Sequence, residues 1–153
     1  MLSFINFSKT YKGGKKAVDD LSLTVEAGDI YGFIGHNGAG KTTTLKSVAG
    51  ILKFDEGEIE IGGVSVKKNP LKCKESLAYI PDNPDLYEFM TGIQFLNFIA
   101  DVFKVDSDAR AERIRKYADL FELTNDLAQP IATYSHGMKQ KLAIISAWIH
   151  APK

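Results

Sequence analysis

The sequence predicts an α/β fold in which a mixed sheet leads into a glycine-rich loop. Three observations predict it. Gly35-His-Asn-Gly-Ala-Gly-Lys41-Thr42 fits the phosphate-loop pattern G-x-x-x-x-G-K-[ST] at every fixed position. An almost unbroken apolar run, Ile30-Tyr-Gly-Phe-Ile34, precedes the loop, and Leu45, Val48 and Ala49 recur after it at helical spacing. Short alternating stretches lie ahead of this unit and longer helical ones behind it, which is the pattern of a mixed sheet rather than of a pure α/β repeat.

Each element can be justified in turn. Leu2 to Phe7 alternates apolar and polar residues as a half-buried strand does, Lys12-Gly13-Gly14-Lys15 reads as a turn, and Leu21-Ser-Leu-Thr-Val25 alternates again. The run Ile30–Ile34 reads as a strand buried on both faces of a parallel sheet. A helix follows from Lys41 to Ala49, with Gly50 placed to end it. Asp55-Glu-Gly57 turns into Glu58–Ile61, Gly62-Gly63 turns again, and Val64–Val66 returns as the second arm of a hairpin. Leu77–Ile80 reads as a further short strand, stopped by the bend Pro81-Asp82-Asn83-Pro84. From Thr91 the pattern turns helical, opened by the capping box Thr91-x-x-Gln94 and carrying Ile93, Leu96, Ala100 and Phe103 on one face. A second helix is expected over Ser107–Leu123, then a break at Pro130. A last helix is capped by Ser135 and turns Leu142, Ile145 and Ile149 inward.

The loop carries the chemistry. With little side chain at Gly35, Gly38 and Gly40, backbone N–H groups can converge on a phosphate chain, and the positive end of the following helix points the same way. Lys41 adds a mobile charge for the outer phosphates, and the Thr42 hydroxyl is a ligand for Mg²⁺. A bare turn between strand and helix would need neither the lysine nor the threonine.

Composition bounds the rest. At 153 residues the chain suits one well-cored domain, and 44% hydrophobic with 25% charged residues is ordinary for a globular protein. A formal net charge of zero argues against nucleic acid held by a bulk electrostatic field, so no nucleic-acid partner is expected; Lys9, Lys12, Lys15 and Lys16 read as a solvated loop. The single cysteine, Cys73, cannot form an internal disulfide and suits a reducing cytoplasm. No signal-peptide core and no run of about 18 apolar residues is present, so a membrane role requires a partner.

Strand, phosphate loop, hairpin, bend, helical insert and a late Ser-x-Gly helix together resemble the ATP-binding domain of ABC transporters, over the whole chain. The resemblance implies a P-loop NTPase with an ABC-type ATPase core, an antiparallel β subdomain and a helical subdomain. It assigns residues 1–82 to the mixed β and phosphate-loop core, 83–130 to the helical subdomain and 131–153 to the signature helix. It makes Gly35, His36, Asn37, Gly38, Ala39, Gly40, Lys41, Thr42 and Thr43 the Walker A segment that holds ATP. Tyr11 becomes the aromatic on which adenine stacks, since a flat π-face accepts a base without reading its edge. Two matches depart from the family pattern. Asp82 stands where the so-called Q-loop has glutamine; a carboxylate can still ligate Mg²⁺, but it is shorter and cannot donate a hydrogen bond to an attacking water. The signature LSGGQ appears as Tyr134-Ser135-His136-Gly137-Met138, keeping Ser135 and Gly137, which by resemblance face the γ-phosphate held by a second copy.

The resemblance further implies catalytic parts for Lys41, Asp82 and Ser135, with ATP and Mg²⁺ as cofactors. The partners it implies are a second ATP-binding domain, in a homo- or heterodimer, and an integral membrane permease subunit. The expected place is cytoplasmic, peripheral on the inner face of the cell membrane. Met-Lys-Gln after Gly137 looks most like bacterial exporters whose membrane half is a separate chain. The family's apolar strand ending in Asp-Glu and its switch histidine find no counterpart. Asp19-Asp20 and Asp55-Glu56 are more simply turn residues, and His36, His136 and His150 lie in the phosphate loop, the signature and the last helix. The chain is therefore expected to be the N-terminal part of a longer domain, incomplete at its C-terminus and without turnover by itself. A GTPase would need a downstream Asn-Lys-x-Asp, which is absent. A soluble, non-transport ABC-type ATPase and a nucleotide-binding fragment without turnover stay open.

Overall fold

In the computed structural model, which describes residues 1–152, the alternating stretches become a four-stranded sheet of order β2-β1-β3-β4. Its strands are β1 (Leu2–Thr10), β2 (Lys16–Val25), β3 (Glu56–Ile61) and β4 (Val64–Ser65). All three pairings are antiparallel, with Leu2 opposite Val25 on one side and Ile61 on the other. The strand pattern is not a simple alternation, because Phe4 and Phe7 are both buried three residues apart. Between them Asn6 takes a φ of 48°, and the register shifts against both neighbours, as an inserted bulge residue requires. Asn6 Nδ2 donates to Asp20 Oδ1 at 2.8 Å, and opposite the bulge Gly57 takes a φ of 77°. A Cβ at Gly57 would strike the carbonyl oxygens of Ile5 and Asn6, so only glycine lets the strands close there.

The core of this part joins Phe4, Phe7, Phe54, Ile59, Val66 and Cys73. Helix α1 (Lys41–Val48) follows the loop, and α2 (Pro70–Ser76) begins with proline, which its first turn tolerates. These elements form one unit, Met1–Leu77; a second unit begins at Ala78. It holds α3 (Gly92–Val102), α4 (Ser107–Leu120), a 3₁₀ turn at Ile131–Thr133 and α5 (His136–Ile149). Its core gathers Phe95, Leu96, Ala100, Ile114, Leu142 and Ile145, among others, from the inward stripes of its three α-helices.

Several expectations need correction. Ile30–Ile34 is not a buried strand: none of the sheet's strands pairs with it among the described residues, and Ile30 and Ile34 are fully exposed. A parallel interior strand exists only between neighbours, and without them its amides and carbonyls turn to water. Leu77–Ile80 likewise forms no ladder among the described residues. Leu45 faces outward; α1 instead buries Thr43, Thr44 and Ser47. Glu56 and Gly57 belong to β3 rather than to a turn ahead of it. Helix α4 stops at Leu120, because Glu122 adopts a left-handed φ of 56°. The hairpin turn at Gly62 and Gly63, the Thr91 capping box and the Ser135 cap form as the sequence predicts.

Candidate functional site

The phosphate loop is shaped by its glycines and closed by its lysine. Gly38 and Gly40 hold φ values of 87° and 89°, in the left-handed region. At Gly40 the chain also runs so close to β2 that a Cβ would strike the Ala17 carbonyl oxygen, and a Cβ at Gly35 would lie 3.1 Å from that of Ala39. The Lys41 ammonium donates to the carbonyl oxygens of Gly35, at 2.5 Å, and His36, at 2.8 Å, arching over the loop it closes. His36 adds its own contact, its ring Nδ1 lying 2.9 Å from the Asn37 carbonyl oxygen. His36, Asn37 and Ala39 are exposed along with the glycines Gly35 and Gly38, so the loop's outer surface is open to a ligand.

Helix α1 starts without a side-chain cap: Gly40 offers none, and the first intrahelical bond is from Thr44 N to Gly40 O at 2.8 Å. The amides of Lys41, Thr42 and Thr43 thus open toward the loop with no acceptor inside the helix, as the first turn of any helix leaves them. Buried hydroxyls brace that turn, Thr44 Oγ1 donating to Gly40 O at 3.0 Å and Ser47 Oγ to Thr43 O at 2.9 Å. Thr42 remains exposed. Uncapped amides, a lysine and glycines in a cradle that a methyl group would fill are a donor set suited to a polyphosphate.

Tyr11 is brought to this loop by the turn after β1. Its hydroxyl shares a hydrogen bond of 3.1 Å with Thr43 Oγ1, while the residue stays 42% exposed. The turn is fixed by Tyr11 N to Lys15 O at 2.9 Å and Gly14 N to Tyr11 O at 3.1 Å. Asp55, read from sequence as a turn residue, takes hydrogen bonds from Thr10 N at 2.6 Å and Lys9 Nζ at 3.0 Å. The Thr10 amide, and after it the Lys9 ammonium, hold the Asp55 carboxyl below the usual carboxylate range. No local signal marks this residue, because its partners are 45 and 46 positions away in the chain.

In the second unit Ser135 caps α5, its Oγ accepting from Met138 N at 3.3 Å. Gly137 is exposed, and a Cβ on it would meet nothing within 4 Å. Tyr134 anchors the segment: it is buried, and its hydroxyl donates to Asp126 O at 2.7 Å. Burial, then the Asp126 charge, pushes its phenol above the ordinary range. Two contacts that sequence reasoning missed tie this helix to the preceding bend. Lys139 pairs with Glu88, and Gln140 Nε2 donates to the Asp82 carbonyl oxygen at 3.4 Å. The Asp82 side chain is exposed, and His150 stacks on Phe103 with ring centroids 3.9 Å apart. Among the described residues no group of three or more His, Cys, Asp or Glu could hold a metal ion. No helix of those residues is long and apolar enough to cross a membrane.

Known proteins resemble this chain in sequence and fold. The sequence profile described as "ABC transporter" matches residues 18–153. An uncharacterized ABC transporter ATP-binding protein of Bacillus subtilis, YhcH, is 35% identical over 100% of this chain and 49% of its own length. The bacitracin transport ATP-binding protein BcrA of Bacillus licheniformis is 34% identical over 97% of this chain and 47% of its own. A solved structure of an ATP-binding subunit of an ABC transporter superposes with a TM-score of 0.92 at 31% identity, over 99% of this chain and 63% of that one. The chain thus spans about half the length of the curated relatives it matches.

Proposed function

Because the chain belongs to the ABC transporter family and carries the P-loop fold of its ATP-binding subunits, we propose that it binds ATP as part of such a subunit, coupling ATP binding and hydrolysis to transport through a separate membrane protein. The observation that carries this reading is the loop of Gly35–Thr43, with an uncapped helix start, the Lys41 ammonium and Tyr11 gathered around it. Amides at the start of α1 and the lysine charge hold the phosphates, and Tyr11 offers its ring to adenine. Thr42 would hold Mg²⁺ from the loop, and Asp82, in the second unit, is the carboxylate proposed for it from the family resemblance; the ion would supply positive charge to offset that of the phosphates.

Ser135 and Gly137 are proposed to meet the phosphate held by a second ATP-binding domain. The Ser135 oxygen caps α5 through a lone pair, which leaves its O–H free to donate to an anion. The proposed docking surface for the permease is the segment Leu86–Met90 with α3. Tyr87 and Phe89 stack there with centroids 5.8 Å apart, and Phe89 is 82% exposed, while Leu86 and Met90 pack on the core beneath. That docking would hold the protein on the cytoplasmic face of a membrane.

The 153 residues by themselves are proposed to bind nucleotide without steady turnover, since no acidic pair behind an apolar strand is present to polarise water. Titration of the protein with ATP and Mg²⁺ should shift the amide resonances of Gly35–Thr43, and Lys41→Ala should abolish those shifts. Amides that stay unmoved in a folded sample would refute the ATP site. Phosphate release above the Lys41→Ala background would refute the absence of turnover.

A further inference from the structure

We propose that Asp55 is a positioning residue for the nucleotide base: by holding Lys9 and Thr10, its carboxylate sets Tyr11 beside the phosphate loop in the orientation that a purine stacks on. The inference rests on the reading of Tyr11 as the base platform.

The geometry assigns Asp55 a role that the sheet itself does not fill. Strand β1 pairs with β3 only as far as Ser8, opposite Glu56. Two residues later the Thr10 amide has passed the end of that ladder, and the Asp55 carboxylate takes the place of a strand carbonyl at 2.6 Å. Its other oxygen takes Lys9 Nζ at 3.0 Å, and its own amide donates to Ser8 O at 3.2 Å. One aspartate therefore grips three consecutive residues, and the next residue is Tyr11. Lys9 Nζ lies 5.9 Å from the Tyr11 ring centroid, so holding Lys9 also fixes a cation beside the ring. At its far end the ring is tied to Thr43 by the 3.1 Å hydrogen bond.

A purely structural role predicts something different. In the Lys9–Asp55 pair the Lys9 side chain is 13% and the Asp55 side chain 46% exposed, so solvent screens the carboxylate and the pair stabilises the fold only modestly. Its removal frees the end of β1 while the core of Phe4, Phe7 and Phe54 stays packed. Affinity should fall for the part of the ligand that Tyr11 touches and for no other.

The test compares ATP with inorganic tripolyphosphate, which has the phosphates and no base, as ligands of the whole chain. Asp55→Ala should weaken ATP by about tenfold, the size of one base-on-aromatic contact, and leave tripolyphosphate unchanged. Tyr11→Ala should do the same, and the double variant should be no weaker than Tyr11→Ala alone, because one residue acts through the other. Asp55→Ala that binds ATP normally while Tyr11→Ala does not, or that loses both ligands alike, overturns the proposal. If Tyr11→Ala leaves ATP unaffected, the platform reading itself fails and the proposal with it. The Thr10 amide resonance separates the two failures. It should shift as pH falls through the depressed pKa of Asp55 and lose that step in Asp55→Asn; a Thr10 amide that ignores the titration refutes the clamp whatever Tyr11 does.

Discussion

Gly38 and Gly40 allow the close approach of the phosphate loop to β2 to be measured apart from backbone strain. Both hold nearly the same left-handed φ, 87° and 89°, so alanine at either must bear the penalty of that region, about 1 kcal/mol. At Gly38 nothing lies within 4 Å of the added Cβ, and the penalty ends there. At Gly40 the Cβ strikes the Ala17 carbonyl oxygen and comes to 3.1 Å from Val18 Cγ2. Ala17 cannot readily give way, because it sits in β2 between Lys16 and Val18, which are paired to Thr10 and Lys9. Forcing a methyl group into such a contact costs about 2 kcal/mol more. Gly40→Ala should therefore destabilise the protein by about 3 kcal/mol and Gly38→Ala by about 1 kcal/mol. In a chain of this size that corresponds to falls in Tm of roughly 9 °C and 3 °C, read by circular dichroism. Equal falls for the two variants would mean that the loop can swing off β2 at little cost, and the argument that Gly40 fixes the loop's position would be refuted.

The other predictions concern buried groups. Tyr134→Phe removes the hydroxyl that donates to Asp126 O and should cost about 1 kcal/mol, checked by urea denaturation. The Tyr134 phenol is raised, so its contribution is present below the unfolded phenol's pKa and is lost as pH rises through the folded value. A 295 nm titration should show an ionisation step above the ordinary phenol range that is absent from Tyr134→Phe. Cys73 is buried with its thiol pushed up by desolvation, so iodoacetamide at pH 8 should label it in urea and leave the native protein unlabelled; native labelling at the denatured rate would contradict its place in the core.

What the sequence made legible was whatever is written locally. The loop motif, the Gly62-Gly63 turn, the Thr91 capping box and the Ser135 cap each depend on residues within a few positions of one another, and each formed. What stayed hidden depends on distant partners. The run Ile30–Ile34 has the composition of an interior strand, but composition cannot say whether neighbours are there to pair with it. The bulge at Asn6 breaks the alternation of β1 because of Asp20 on one side and Gly57 on the other, and neither is visible from Asn6. Asp55 looked like any turn aspartate because its work is done 45 residues away. Leu45, Val48 and Ala49 recur at helical spacing, yet α1 leaves Leu45 exposed and turns its threonines and a serine inward to brace the backbone behind the loop.

That last inversion bears on how the site is built. A helix whose first turn must leave amides open for an anion cannot use a side-chain cap there, and it gives up about 1 kcal/mol by doing so. Helix α1 meets this by bonding backward, with Thr44 and Ser47 hydroxyls satisfying carbonyls of the first turn from inside, so the turn is held without occupying its donors. Helix α5 is built differently: Ser135 caps it, its Oγ accepting from Met138 N through an oxygen lone pair. The first start keeps its amides open, whereas the second closes one of them with a side-chain oxygen. The contrast explains why a polar, buried α1 reads poorly on a hydrophobic pattern: burial there serves the geometry of the loop ahead of it.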